Sequence, residues 1–240
     1  GGLSDFELLT QGFVDIIHVA ERAGSSSIIL SGDVLDTALV NPNQSSETIS
    51  VKAALIEAVE LTGHSINIEE INDLSNDMKG WAQAHNLILS TLAPQATFGW
   101  ELSIGEFAYL THSGRQAIWD AASAVSADLL STLELYQTDN VNKADFVAFT
   151  KSASTPALSS EQWHHALEYV KQVSDYIQTP AMLETIPTDQ AATYFLGSSS
   201  SDRQVRKAAY SNVFAILFDH DTAELADQIQ HYQEAQVPLY

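Results

Sequence analysis

Two periods of apolar residues alternate along this chain. One recurs every three to four residues, as on the buried face of a helix. The other is a short, nearly continuous apolar run, as in a strand covered on both faces. Leu9, Phe13, Ile16, Ile17 and Ala20 follow Ser4 at helical spacing. Glu7 stands three residues after Ser4, as in a capping box, and Gly24 ends the run. The run SIIL then predicts a strand over 27–30, and the polar stretch 36–50 predicts a loop. Residues 51–61 predict a helix with Ala54, Leu55, Ala58 and Val59 on one face. Residues 64–75 predict an irregular acidic segment around Glu69, Glu70 and Asp73, either a surface excursion or a cation-binding loop.

A helix starting at Asn76 or Asp77 carries Trp81, Ala84, Leu87, Ile88 and Leu92, and Pro94 follows its end. Strands are predicted over 97–104, 145–150, 180–186 and 213–218. Between them, residues 113–136 predict a helix with Ile118, Trp119, Ala122, Val125, Leu129, Leu130 and Leu133 inward. Ser159 opens another, with Gln162 in the capping-box position and Trp163, Ala166, Leu167, Val170, Val173 and Ile177 as its stripe. Residues 198–201 predict a loop tip, and 205–210 and 223–233 predict the last helices.

Strands that alternate with helices form a parallel sheet with covered faces. The chain has neither a GxGxxG turn nor a Walker motif, which disfavours a doubly wound nucleotide-binding sheet. The pattern predicts an α/β fold, a TIM-type (β/α)8 barrel forming a single domain over 1–240. Because a helix precedes the first strand, the barrel is expected to lack its first two or three strands in this chain. The exposed sheet edges would then pair with a missing N-terminal segment or a neighbouring subunit.

Composition narrows the partners. The chain has 31 acidic against 10 basic side chains, a formal charge of −21, which repels phosphate backbones and excludes ordinary nucleic-acid binding. A neutral ligand such as a sugar suits this surface. No apolar run has the length of a membrane span. The absence of cysteine removes disulfides and thiolate metal sites. No cofactor is expected, and calcium has no motif to support it. Asn43-Gln44-Ser45 is a glycosylation sequon.

Barrel enzymes place their chemistry at the C-terminal ends of strands. The residues there are Asp33, Asp36, Glu101, Glu106, Lys151, Glu184 and the Asp219-His220-Asp221 cluster. Glycoside hydrolysis needs two carboxyls facing one bond, and Asp33, Glu101 and Glu184 lie on different predicted strand ends. Glu184 is assigned as proton donor, because an apolar strand favours the neutral acid, and Asp33 as base or nucleophile, with Glu101 third. Trp100 and Tyr109 are either sugar-stacking rings or packing residues, and Asp36 is a candidate sugar contact. His164 and His165 are expected to face water, while Trp81, Trp119 and Trp163 are expected in the core.

Several stretches carry a resemblance: VKAAL at 51–55, LAPQATFGWELSIG at 92–105, ADFVAFT at 144–150, WHHALEYVKQVSDYIQTPAMLETIP at 163–187, TYFLG at 193–197 and NVFAILFDHDTAELADQIQHYQ at 212–233. With them the chain resembles a family of secreted bacterial proteins with a barrel domain, similar to glycoside hydrolases and often joined to carbohydrate-binding modules. The resemblance implies an extracellular or cell-surface barrel acting on or binding polysaccharide. Departures concentrate at strand ends. Ser31-Gly32-Asp33-Val34 stands where the family pattern resembles Glu-Pro-Asp-aromatic, and Thr150-Lys151-Ser152-Ala153, with no acid, replaces an Asp-Arg-Tyr-Glu-like run. Glu184-Thr185-Ile186-Pro187-Thr188-Asp189 replaces Trp-Gln-Ile-Pro-Gly-Gly, and Asp219-His220-Asp221 replaces a Gly-Ala-Gly turn. This pattern implies a retained scaffold with a lost or repurposed site. It keeps open a non-catalytic component of an extracellular assembly.

Overall fold

The computed structural model describes residues 2–40, 48–104, 116–151, 157–196 and 203–235. Asn43 of the sequon, Glu106, Tyr109 and the 198–201 tip lie outside them. Five strands, β1 (Ser27–Leu30), β2 (Thr97–Ser103), β3 (Phe146–Thr150), β4 (Ala181–Ile186) and β5 (Val213–Phe218), form one all-parallel sheet in chain order. The helices are α1 (Phe6–Arg22), α2 (Asp33–Val40), α3 (Val51–Thr62), α4 (Ile68–Asp73), α5 (Met78–Leu92), α6 (Gln116–Thr132), α7 (Ser160–Ile177), α8 (Thr188–Leu196), α9 (Arg203–Tyr210) and α10 (Ala223–Ala235). The expected alternation of helix and parallel strand is therefore present.

The chain divides into two compact units, one comprising Gly1–Trp100 with Val125–Phe146 and the other Glu101–Ala124 with Val147–Tyr240. In the first, α1 packs on α3 and α5 through Leu9, Phe13, Ile17 and Ala20. Its cap is Asp5, not Ser4: the Asp5 carboxylate accepts from the backbone of Glu7 at 3.1 Å and Leu8 at 3.2 Å, while Gly2–Ser4 forms a 3-10 turn. Gly24 continues the chain at φ +54°, a left-handed conformation that glycine adopts without strain.

Two segments expected as loops are helical. The first part of 36–50 belongs to α2, where Leu35, Ala38 and Leu39 are buried at helical spacing. The acidic segment contains α4, capped by Asn67 through the backbone of Glu69 at 3.0 Å. Its Ile71 and Leu74 are buried. Helices of eight and six residues are too short to show the long stripe by which a helix is found in sequence.

β1 and β2 pair in register from Ser27 beside Thr97 to Leu30 beside Trp100. The Tyr136 phenol lies between β2 and β3, accepting from the Trp100 backbone N–H at 3.1 Å and donating to the Phe146 carbonyl at 2.9 Å. Burial holds this phenol in its neutral form by pushing its pKa up. Tyr136→Phe removes both hydrogen bonds of the phenol, the one from the Trp100 N–H and the one to the Phe146 carbonyl. Its expected effect is a stability loss of about 2 kcal/mol, read as a lower urea midpoint at unchanged slope.

In the second unit, Ser159 caps α7 with the expected capping box: Ser159 Oγ accepts from Gln162 N at 3.2 Å, and Gln162 Oε1 accepts from Ser159 N at 2.9 Å. Val125, which belongs to the first unit and is expected inward on α6, is 48 % exposed. β5 is the most apolar strand by sequence, yet Phe214 and Leu217 are 55 % and 47 % exposed, in keeping with its place at the end of the strand order.

Candidate functional site

The C-terminal strand ends of the second unit carry Glu101 on β2, Lys151 just after β3, Glu184 on β4 and Asp219 and His220 just after β5. β2 and β3 are joined there by the Ile104 N–H donating to the Thr150 carbonyl at 2.8 Å. Thr150 stands beside Glu184 in the β3–β4 register. Phe149 meets Tyr169 of α7 edge-on, with centroids 5.6 Å apart, so Phe149 and its neighbour Leu183 face α7. Strand alternation turns Thr150 and Glu184 to the opposite face.

Glu184 is the distinctive group. Its side chain is nine-tenths buried at the end of an apolar strand. The β4–β5 register shifts between Leu183 and Ile186, and inside that irregularity Thr185 adopts φ +47°. For a β-branched residue this left-handed conformation is strained. The Thr185 hydroxyl donates to Glu184 Oε2. Bulges re-aim side chains, and they cluster beside active sites.

Beyond β4, Asp219 is a hub. Its Oδ1 accepts from the Thr188 backbone at 2.9 Å and from the Thr188 hydroxyl at 2.9 Å, and it lies 2.6 Å from His220 Nδ1. Thr188 is the first residue of α8. The Thr188 backbone N–H, assisted by the Thr188 hydroxyl and by His220, holds the Asp219 carboxyl below its ordinary range. Asp219 is thus a fixed anion that orients the His220 ring. Lys151 is fully buried, and burial pushes its amine below the usual lysine value.

A second polar group joins α6 to α7. The Asp120 carboxylate accepts from Gln116 at 2.8 Å and Gln172 at 2.7 Å, which hold it below the ordinary carboxylate range. His165 Nδ1 lies 2.5 Å from Gln116 Oε1, and its Nε2 is buried without a hydrogen-bond partner. His165 is therefore interior, contrary to the expectation that both histidines face water, whereas His164 is exposed.

The remaining candidates fall elsewhere. Asp33 and Asp36 belong to the first unit, on the first turn of α2; Asp33 is exposed and Asp36 buried. Trp100 is 1 % exposed. Its ring lies 5.6 Å from both Trp81 and His85, and its Nε1 donates to Asn86 Oδ1 at 2.9 Å. The indole is packed against α5, with no face open to a sugar. Trp119 and Trp163 are core residues, and Trp81 is half-buried.

Among the described residues, no group of three or more His, Asp or Glu side chains is placed to hold a metal ion. No helix among them is long and apolar enough to cross a membrane. Thr185 and Thr188 were not candidates from sequence. Nothing in the local pattern marks Thr185. Thr188 is legible only through α8, whose Ala191, Ala192 and Phe195 recur at helical spacing after Pro187.

Fold and strand ends together define a parallel α/β protein with a polar C-terminal face in its second unit. Comparison with family models, curated proteins and solved structures returns no match.

Proposed function

We propose that this chain is an extracellular (β/α)-barrel protein of glycoside-hydrolase type, taking a neutral polysaccharide or oligosaccharide at its C-terminal strand ends. Strand order supports the barrel: five parallel strands follow chain order without the reversal that marks a doubly wound sheet. The observation that carries the function is Glu184, a buried carboxyl near a strand end whose pairing register is irregular. Such a carboxyl is suited to protonate a glycosidic oxygen, with a second carboxylate acting as base or nucleophile. Glu101 lies in the same unit on β2. The surplus of acids on the chain disfavours polyanions and tolerates neutral sugars.

Lys151 favours a second reading. A buried lysine follows the end of β3, where the resembling family carries an Asp-Arg-Tyr-Glu-like run. A barrel that has exchanged its acids in this way serves as a non-catalytic sugar-binding component of an extracellular assembly.

Release of reducing ends from a panel of neutral polysaccharides separates the two. Glu184→Gln is expected to reduce hydrolysis by about 100-fold or more with the fold retained. Glu101→Gln, measured alongside, tests the second carboxyl within the same unit. Hydrolysis that survives loss of both Glu101 and Glu184 sinks the assignment. Binding in affinity electrophoresis without cleavage establishes the second reading, and absence of both overturns the sugar-directed function.

A further inference from the structure

We infer that Thr185 is a positioning residue, held in a left-handed backbone at the expense of stability so that its hydroxyl aims the Glu184 carboxyl. The inference rests on the proposed role of Glu184 and adds the device that directs it. Three features meet at this position. Thr185 has φ +47°, a conformation that disfavours β-branched side chains. The β4–β5 register is irregular between Leu183 and Ile186, so the strand departs from regular pairing at this point. The Thr185 hydroxyl donates to Oε2 of the preceding residue's carboxyl.

Adjacent residues of a regular strand point to opposite faces, which keeps their side chains apart. The left-handed turn at Thr185 removes that separation and lets a hydroxyl reach its neighbour's carboxyl. Thr185 is itself exposed while Glu184 is buried. The hydroxyl therefore approaches from the solvent side and engages one carboxyl oxygen, which fixes the direction of the other. Packing does not explain the strained residue, because an exposed threonine fills no space in the core. Glycine would hold the same backbone without strain. A threonine here is explained by its hydroxyl.

The test needs three variants and two readouts, one of which does not depend on activity. Thr185→Gly relieves the backbone and removes the hydroxyl. It is expected to raise the melting temperature by about 2 °C while Glu184 loses its single rotamer in a crystal structure of the variant. Thr185→Val keeps the branch and loses only the hydroxyl, with the same loss of Glu184 order. Thr185→Ser keeps the hydroxyl and is expected to keep Glu184 in place. On a cleaved polysaccharide, Gly and Val are expected to lower kcat by about 10-fold or more at little-changed KM, with Ser restoring it. A lower melting temperature for Thr185→Gly, or an unmoved Glu184 in both Gly and Val, overturns the inference. If the protein cleaves no glycan, the hydrolase reading fails by itself, and the melting and crystallographic results still decide what Thr185 does.

Discussion

Gly80→Ala is expected to destabilise the first unit by about 4 kcal/mol, the largest effect of any single substitution considered. Helix propensity alone predicts the reverse, since alanine in place of a helical glycine gains up to about 1 kcal/mol. Geometry decides the sign. A Cβ on Gly80 would lie 1.7 Å from the Ser75 carbonyl oxygen and 2.6 Å from its carbonyl carbon. Both are backbone atoms, so no side-chain rotation relieves the overlap. Nor can the Ser75–Asp77 turn step aside. Ser75 Oγ donates to Asp77 Oδ1 at 2.5 Å, and that same oxygen caps α5 through the Gly80 backbone at 3.0 Å. Moving Ser75 breaks the cap, and moving α5 disturbs the buried row of Ala82, Ala84, Leu87 and Ile88. The expected readout is a melting temperature lower by about 10 °C and a proportionally lower urea midpoint. A variant as stable as the parent would show that the turn is loose and that the close approach of α5 to Ser75 matters little.

Much of the fold is legible in the residue pattern. The strand over 27–30 has the bounds of β1, the helix start expected at Asn76 or Asp77 is capped by Asp77, and the capping box of Ser159 and Gln162 falls where the sequence places it. These elements are marked by an apolar run bounded by turn residues or by capping chemistry acting within a few residues. What escaped depends on few residues or on distant ones. α2 rests on Leu35, Ala38 and Leu39, followed at once by a polar run. α4 has six residues. α8 is announced by Pro187 and two alanines, a weak signal. Apolar character also misreads burial in β5, because position in the sheet, and not composition, exposes Phe214 and Leu217.

The site is legible in kind more than in detail. That acids sit at strand ends follows from the alternation of elements, and Glu184 lies on β4 as expected. The irregular pairing beside it, the left-handed Thr185 and the hub at Asp219 arise from register and loop geometry, which one chain's residue types do not encode locally. Trp100 shows the same limit from the other side. A tryptophan near a strand end is equally a stacking platform or a packing residue. Only the parity of the strand, which turns it toward Trp81 and His85, decides.

That aromatic cluster sets the acid limit of the first unit. His85 Nδ1–H donates to the Trp81 carbonyl at 2.8 Å, and its ring lies between Phe13, Trp81 and Trp100 with centroids 5.4, 4.6 and 5.6 Å away. Burial penalises the imidazolium and pushes the pKa down from 6.5 to about 4, with the Trp81 hydrogen bond opposing only part of the shift. The unfolded chain takes up this proton near pH 6.5, and the folded chain resists until about pH 4. Between those values the unfolded state binds more protons, so stability falls as the pH falls, by about 3 kcal/mol over the whole interval. The contribution is fully present above pH 6.5 and lost on the way down to about pH 4. His85→Leu removes the titration and keeps an apolar side chain in the cluster. Urea unfolding at pH 7 and pH 5 is expected to show the parent losing about 2 kcal/mol more than the variant between the two. Carboxylates such as Asp120 and Asp219, held below their ordinary range, are common to both proteins and cancel in the comparison. Equal losses in parent and variant would mean that His85 accepts its proton without leaving the cluster, and that the pocket around Trp81 and Trp100 admits water.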